Sequence, residues 1–267
     1  MVLFFIVGII IVLTSAQPHL PLSSPQRQTT ESAKQKSPAK KDFSKLAQSY
    51  DQILGKTQAQ FAITFFDINS REKLSINGDK TFHVASTTKP IVAAYALKQV
   101  DDGKVKLDKQ IGVWPLSEHL RLMLNISENQ SWEVLINFFG LDNIQNFTRD
   151  IGLVKTDQFE NTSTADDLAQ FLEKIYQGSI LSQSSKQFIL NLMQNTETED
   201  RIPAGISDKK IVFHKAGSFE GEIHDIGIVA HPTNPFILAI LSDGINDLDT
   251  RPAVLAEIAK VSWEFVN

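Results

Sequence analysis

Hydrophobic and polar positions follow two different periods along the chain, and its first elements show both. At residues 43–54 apolar side chains recur at helical spacing, and Gly55 follows where helices commonly end. Residues 60–68 and 73–77 have the pattern of extended strands, joined by a polar turn at 69–71. The pattern therefore predicts a helix followed by a β-hairpin.

A block of helices is predicted in the middle of the chain. Residues 86–102 are helical in pattern and apolar on most sides, which is typical of a helix inside a protein. Pro90 falls in the first turn, where proline is tolerated, and Gly103 ends the pattern. Shorter helical patterns follow, several of them after Ser, Thr or Asp as N-cap, at 116–124, 131–139, 142–151, 164–176 and 184–193.

The last third of the chain returns to strand patterns and ends in a helix. Strand-like segments at 210–214, 223–230 and 236–242 are separated by Gly, Pro and Asn, and a helical pattern covers 252–265. Strands thus lie at both ends with helices between them. We predict an α+β fold, in which a five-stranded antiparallel sheet is flanked by the terminal helices and carries an all-α insertion between its strands.

The N-terminus carries a separate pattern. Residues 2–13 are an unbroken apolar run, followed by Thr14, Ser15 and Ala16, small residues suited to signal-peptidase cleavage. Residues 1–16 are therefore predicted to be a signal peptide or an uncleaved membrane anchor. Residues 17–42, rich in Ser, Pro, Gln, Thr and Lys, are predicted to be a disordered tether, and 43–267 one domain. A cleaved signal peptide and an uncleaved anchor both imply a secreted or cell-envelope location.

Composition narrows the chemistry that the domain can perform. The chain has no cysteine, which excludes disulfides, thiolate zinc sites and cysteine nucleophiles. A formal net charge of -5 gives no uniformly positive field for a phosphate backbone, so we expect no nucleic-acid partner. The six histidines lack the spacing of zinc ligands, so we expect no metal and no cofactor. A monomer acting on a small molecule remains the expectation.

The pattern Ser-x-x-Lys supplies a candidate nucleophile, although it occurs four times, at Ser37, Ser70, Ser86 and Ser207. The first lies in the tether, the second in the hairpin turn and the last in a polar loop. Ser86 instead opens the apolar helix, so that Lys89 projects from the same face. Burial lowers the pKa of a lysine and lets it act as a base toward serine. On this motif alone, a helix cap beside a solvent-exposed lysine is the alternative interpretation.

Two later motifs favour the catalytic interpretation. Ser127-Glu128-Asn129 follows Ser86, and Lys215-Ala216-Gly217 is the only Lys-x-Gly of the chain. Lys215 is placed at the end of the strand 210–214, where a second positive charge lowers the pKa of Lys89 further. Together with the segment 82–89, these motifs resemble the class A β-lactamases and β-lactamase-like serine hydrolases of the penicillin-binding protein superfamily. The resemblance covers roughly residues 43–267.

The resemblance implies a role for each motif residue. Ser86 forms an acyl-enzyme, Lys89 accepts its proton, and Ser127 relays a proton to the leaving group. Asn129 binds the substrate amide.

It also implies how the substrate is held at the strand. The backbone N–H groups of Ser86 and Ser218 form an oxyanion hole, and Lys215 attracts the substrate carboxylate beside Gly217.

Three departures from the family pattern bear on this resemblance. Ala216 lacks the hydroxyl that helps to hold a substrate carboxylate, and Glu128 replaces the usual aspartate. Residues 152–163 are short for the loop that carries the deacylating glutamate, and they offer only Asp157 and Glu160. We take Glu160 as the candidate base for hydrolysis of the acyl-enzyme.

The sequence thus predicts a serine hydrolase that cleaves β-lactam amides through an acyl-enzyme. The alternative is a penicillin-binding or D-alanyl-D-alanine carboxypeptidase-like protein, or a slow peptidoglycan-binding module, which the short loop would favour. Retention of the serine and of both lysines favours catalysis, because a binding module has no need of a buried lysine beside a serine.

Overall fold

A computed structural model of the protein describes residues 41–245 and 251–267. Within these ranges the helices are α1 (Ser44–Leu54), α2 (Lys89–Asp101), α3 (Leu116–Asn125), α4 (Asn129–Phe139), α5 (Leu141–Asp150), α6 (Ala165–Gln177), α7 (Gln183–Leu192), α8 (Ile202–Gly205) and α9 (Arg251–Val266). The strands are β1 (Gln60–Asp67), β2 (Glu72–Ile76), β3 (Phe82–His83), β4 (Gln110–Ile111), β5 (Trp114–Pro115), β6 (Thr162–Ser163), β7 (Val212–Phe219), β8 (Glu222–Val229) and β9 (Phe236–Asp243).

One five-stranded sheet organises the domain, in the order β2-β1-β9-β8-β7. All of its neighbouring strands pair antiparallel. The N-terminal hairpin supplies β1 and β2, the last third of the chain supplies β7 to β9, and helices α2 to α8 come between them in sequence. The predicted α+β fold, with a five-stranded antiparallel sheet and an α insertion, is therefore confirmed.

The sheet separates two hydrophobic cores, because successive side chains of a strand point to opposite faces. In β1, Ala62 belongs to the core that contains α2 and the helical insertion. Its neighbours Ile63 and Phe65 belong to the core that α1 and α9 complete. The apolar runs of β1, β8 and β9 are thus buried on both faces, which explains why they show little polar alternation.

The structure corrects two boundaries that matter for function. The sequence predicts a helix from residue 86, but Ala85–Thr88 is a 3₁₀ turn and α2 begins at Lys89. The sequence also ends a strand at residue 214, whereas β7 runs from Val212 to Phe219. Glycine often interrupts a strand, yet Gly217 lies inside β7, where it permits a close backbone contact.

Two small elements bring the short loop to the start of α2. Strand β3 pairs with β6, so that Phe82 faces Ser163 and His83 faces Thr162. This pairing places the loop 152–163 directly beside the turn that carries Ser86.

The segment before α1 is partly described. Lys41, in the predicted tether, donates its backbone N–H to Glu72 and forms an ion pair with Asp67. The rest of the tether and the apolar run at 2–13 lie outside the described residues. Among the described helices, none is both long and apolar enough to cross a membrane.

Candidate active site

Ser86 lies in the 3₁₀ turn before α2 and lines a cavity of about 180 Å³. The turn is tightly constrained, since Ala85 adopts a positive φ of 48° and the Thr87 hydroxyl donates to the Val84 carbonyl at 2.7 Å. Such conformations in residues other than glycine often mark functional sites. The cavity is shared by His83, Ser86, Lys89, Asn129, Asn161 and Ser218.

Lys89 is buried at the first turn of α2, with 3% of its surface exposed. Its Nζ donates to the Ser127 carbonyl at 2.6 Å and to Asn129 Oδ1 at 2.8 Å. Burial lowers the pKa of Lys89 to about 8, against an opposing attraction from Glu128. The structure therefore excludes the interpretation in which this lysine reaches into solvent.

Lys215 lies beside Lys89 on β7, and Ser127 connects the two amines. Lys215 Nζ donates to Ser127 Oγ at 2.9 Å and to the Ala216 carbonyl at 2.8 Å. Burial and then the charge of Lys89 lower the pKa of Lys215 to about 7. Burial is thus the largest cause of the lowered pKa of both lysines, and repulsion between the two amines acts in the same direction on Lys215.

The Ser127-Glu128-Asn129 motif forms the tight entry into α4. Ser127 adopts a positive φ of 61°. Glu128 is the N-cap residue, whose carboxylate accepts from the Ser131 N–H at 3.2 Å. The glutamate at this position thus caps the helix that holds Asn129 against Lys89.

Strand β7 packs directly on the Ser86 turn. A Cβ atom at Gly217 would lie 3.0 Å from the Val84 carbonyl oxygen and 3.1 Å from the Ser86 nitrogen. Only glycine permits this approach without displacing one of the two segments. The approach brings the backbone of β7 beside the Ser86 N–H, and Ser218 lines the cavity next to it.

Arg201, which belongs to none of the motifs above, is hydrogen-bonded to β7. Its guanidinium donates to the carbonyls of Gly217 and His224, at 2.7 and 2.6 Å, and to Ser218 Oγ at 2.5 Å. A lone arginine in a polar stretch carries no recognisable spacing, so no sequence signal identifies it. Its hydrogen bonds reach both β7 and β8, so its partners come together only in the folded sheet.

A buried His214–Asp225 pair lies between β7 and β8. The ring Nδ1 of His214 is 2.9 Å from Asp225 Oδ1, and Nε2 is 3.3 Å from Glu199 Oε1. Burial alone would lower the pKa of His214, but the two carboxylates outweigh it and raise the pKa to about 9. Asp225 thus pairs with His214 on the neighbouring strand.

The short loop presents an amide to the cavity. Glu160 is exposed, its backbone N–H donates to Asp157 Oδ1 at 3.1 Å, and it is not among the residues that line the cavity. Its neighbour Asn161, with a positive φ of 51°, lines the cavity instead. The structure thus brings together every predicted site residue except Glu160.

Sequence comparison identifies the family. Residues 45–266 match the model of the Beta-lactamase enzyme family. Beta-lactamase VEB-1 of Pseudomonas aeruginosa is 21% identical over 263 residues, covering 80% of this chain and 88% of that protein. A beta-lactamase of Bacillus amyloliquefaciens is 27% identical over 258 residues, covering 81% and 83%.

Solved structures have the same fold. A beta-lactamase from Chitinophaga pinensis superposes with a TM-score of 0.78 at 23% identity, covering 84% of this chain and 100% of that chain. The structure of PBP-A gives a TM-score of 0.78 at 24% identity, covering 85% and 98%. With the family match spanning nearly all of the described domain, the chain belongs to the beta-lactamase enzyme family.

Proposed function

We propose that the protein is a serine β-lactamase, which opens β-lactam amides by acylation of Ser86 and then hydrolyses the ester. The observation that carries the proposal is Lys89, a buried amine of lowered pKa that lines the same cavity as Ser86. The curated relatives described above are β-lactamases, which favours hydrolysis over the alternative of a penicillin-binding module.

Acylation begins with proton transfer from Ser86. Unprotonated Lys89 takes the hydroxyl proton while Oγ attacks the β-lactam carbonyl carbon. The N–H groups of Ser86 and Ser218 stabilise the oxyanion that forms. The close contact of Gly217 with the Ser86 turn supports this pair of donors, because it sets the distance between β7 and the turn.

The leaving nitrogen receives a proton from the Ser127 hydroxyl, which is replaced by the proton that Lys89 removed from Ser86. The hydrogen bond from Lys215 holds Ser127 Oγ in place, and the positive charge of Lys215 attracts the substrate carboxylate. Asn129 uses Oδ1 to hold Lys89, which leaves its amide N–H groups for the substrate amide carbonyl.

We further propose that the enzyme works outside the cytoplasm, where β-lactams first meet a cell. The apolar run at 2–13 and the small residues after it support export. Fractionation of cells that express the full chain, with N-terminal sequencing of the product, tests this. Intact protein found only in the cytoplasm would contradict it.

A turnover assay tests the enzymatic proposal. The purified protein is incubated with a chromogenic β-lactam and, separately, with a fluorescent penicillin, while intact mass is followed. We expect steady turnover and a transient adduct on Ser86. Ser86→Ala should lower kcat by at least about 1,000-fold, since the nucleophile is lost.

The chain supplies a matched control for this experiment. Ser207 belongs to another Ser-x-x-Lys pattern but is exposed in the loop before β7, so Ser207→Ala should leave turnover unchanged. Undiminished turnover in Ser86→Ala would reject the nucleophile, and a permanent adduct without turnover would favour the penicillin-binding alternative.

A further inference from the structure

Hydrolysis of the acyl-enzyme needs a base in the cavity, and Glu160 does not line it. Among the described residues that line the cavity, the titratable side chains are those of His83 and Lys89. Lys89 is already engaged with Ser127 and Asn129. The histidine has no part in the acylation steps derived above, although it is half-buried at the cavity wall.

We propose that His83 is the general base of deacylation and that Glu222 positions it. This inference rests on the proposed β-lactamase function and deepens it. It assigns the hydrolytic step to a histidine at the end of β3.

The contact with Glu222 fixes the ring and its tautomer. His83 Nδ1 lies 2.5 Å from Glu222 Oε2, so Nδ1 carries the proton and donates it to the carboxylate. Burial would raise the pKa of Glu222, but the nearby rings of His224 and His83 lower it overall, so the carboxylate is ionised. An oriented carboxylate behind an imidazole stabilises the cation that forms when Nε2 takes a proton.

The other ring nitrogen faces Asn161. His83 Nε2 is 3.4 Å from Asn161 Nδ2, a long contact that leaves the lone pair weakly engaged. The amide cannot rotate freely, because Thr88 donates to its Oδ1 at 2.8 Å and its Nδ2 donates to the Ala85 carbonyl at 3.0 Å. A water that accepts the second N–H of Asn161 and donates to His83 Nε2 would replace this long contact and lie beside the Ser86 turn.

The remaining contact restricts the ring to this orientation. The exposed side chain of Phe219, which follows Ser218 on β7, packs edge-on against His83 with ring centroids 5.2 Å apart. The Glu222 carboxylate thus fixes Nδ1, and the ring of Phe219 packs against the imidazole. Together they direct Nε2 toward Asn161 of the loop. A catalytic base requires this kind of support.

The chemical step balances within these groups. His83 Nε2 removes one proton from water as its oxygen attacks the carbonyl carbon of the Ser86 ester, forming a new carbon–oxygen bond. The tetrahedral intermediate then collapses with cleavage of the bond to Ser86 Oγ. The proton held on Nε2 passes to that oxygen, which restores the serine hydroxyl and the neutral imidazole and releases the ring-opened acid.

The experiment separates acylation from deacylation. Full-length His83→Gln is mixed with a fluorescent penicillin and a chromogenic β-lactam, and formation and decay of the adduct are timed separately. We expect acylation within about threefold of wild type and decay of the adduct slowed about 100-fold or more, because general-base catalysis contributes at least that factor. Retained acylation also shows that the variant is folded.

Two further variants distinguish a base from a structural contact. In His83→Ala, added imidazole should restore decay of the adduct in proportion to its concentration, which a purely structural role would not allow. Glu222→Gln should slow decay while leaving acylation intact. His231→Gln is the matched control, since that ring lies at the surface against Trp263 and should change neither rate.

Each result decides a different claim. Unchanged decay in His83→Gln, or no rescue of His83→Ala by imidazole, overturns the role of His83 and leaves the β-lactamase proposal standing. If wild-type protein forms no adduct and opens no β-lactam, the proposed function fails, and the role of His83 fails with it.

Discussion

Lys89 and Lys215 have unusual protonation states for neighbouring lysines. The amine that must accept a proton has a pKa of about 8, and the amine that must remain charged has a pKa of about 7. At any pH, therefore, only a fraction of the molecules have a neutral Lys89 and a charged Lys215 at the same time. Because the two groups interact, the pH dependence of activity reports the pair and not either residue alone.

We expect the kcat/KM of a β-lactam carboxylate to follow a bell-shaped pH profile with its maximum between about pH 7 and 8. Below the pKa of Lys89, about 8, protonation removes the base; above that of Lys215, about 7, loss of charge weakens attraction of the substrate. Steady-state kinetics over roughly three pH units on each side of the maximum measure both the rising and the falling part of the kcat/KM profile.

Lys215→Arg is the control for this profile. A guanidinium keeps its charge throughout this range, so the falling limb should disappear while the rising limb remains. A profile that stays flat between about pH 6 and 9 in wild type would contradict the assignment of the base.

At the residue scale, the sequence could predict those site residues that belong to ordered motifs. Ser86, Lys89, Ser127 and Lys215 are predicted from the order of three motifs together with the apolar helix that contains Lys89. Arg201 could not be found, because the carbonyls that it holds come from strands paired only in the folded sheet. Glu160 was chosen for its carboxylate, and its role as deacylating base stays a prediction that the geometry does not support.

At the scale of elements, the site depends on the fit between β7 and the Ser86 turn. That fit requires a residue without a Cβ atom at position 217, since the calculated contacts of 3.0 and 3.1 Å are with backbone atoms that cannot rotate away. The distance between the strand and the turn also sets the spacing of the two oxyanion donors.

Gly217→Ala should therefore lower the acylation rate about 100-fold while leaving the domain folded, because a displacement of a few tenths of an ångström misaligns the donors. Stopped-flow acylation and thermal unfolding together measure it. Gly221→Ala is a control of the same chemical size, at a glycine without a positive φ whose Cβ would lie no closer than 3.8 Å to any atom. Equal acylation rates in both variants would contradict this account of the oxyanion site.

Most element positions could be predicted from periodicity, and the exceptions have a common cause. The predicted helix 131–139 begins at Asn129 in the structure, and the strand 210–214 continues to Phe219. Helix starts and strand ends depend on capping and on partner strands, which local pattern does not contain. The four-residue helix α8 is too short to show a period.

At the scale of the whole molecule, the sheet isolates the site from the terminal helices. Leu238 on central strand β9 is fully buried in the core formed with α1 and α9, whereas α2 packs in the other core. Loss of packing behind the sheet should therefore reduce stability without altering the chemistry.

Leu238→Ala should lower the free energy of unfolding by about 3 kcal/mol, from lost burial and the cavity left behind. The kcat of the folded fraction should stay within about twofold of wild type. Urea unfolding and active-site titration measure the two quantities. Val113→Ala is the control, at a side chain that is 77% exposed, and should change the free energy of unfolding by less than about 0.5 kcal/mol. A large fall in kcat for Leu238→Ala would contradict the isolation of the site.

The fold class could be predicted because strands occur at both ends of the sequence, but the strand order could not. That order places β9 between β1 and β8, pairing Gln60 with Asp243. Consequently a ribosome must translate the chain as far as Asp243 before β1 acquires its second neighbour. Until then the apolar side chains of the N-terminal hairpin have no sheet to join, so this domain cannot mature progressively during synthesis and must assemble after its last strand has emerged.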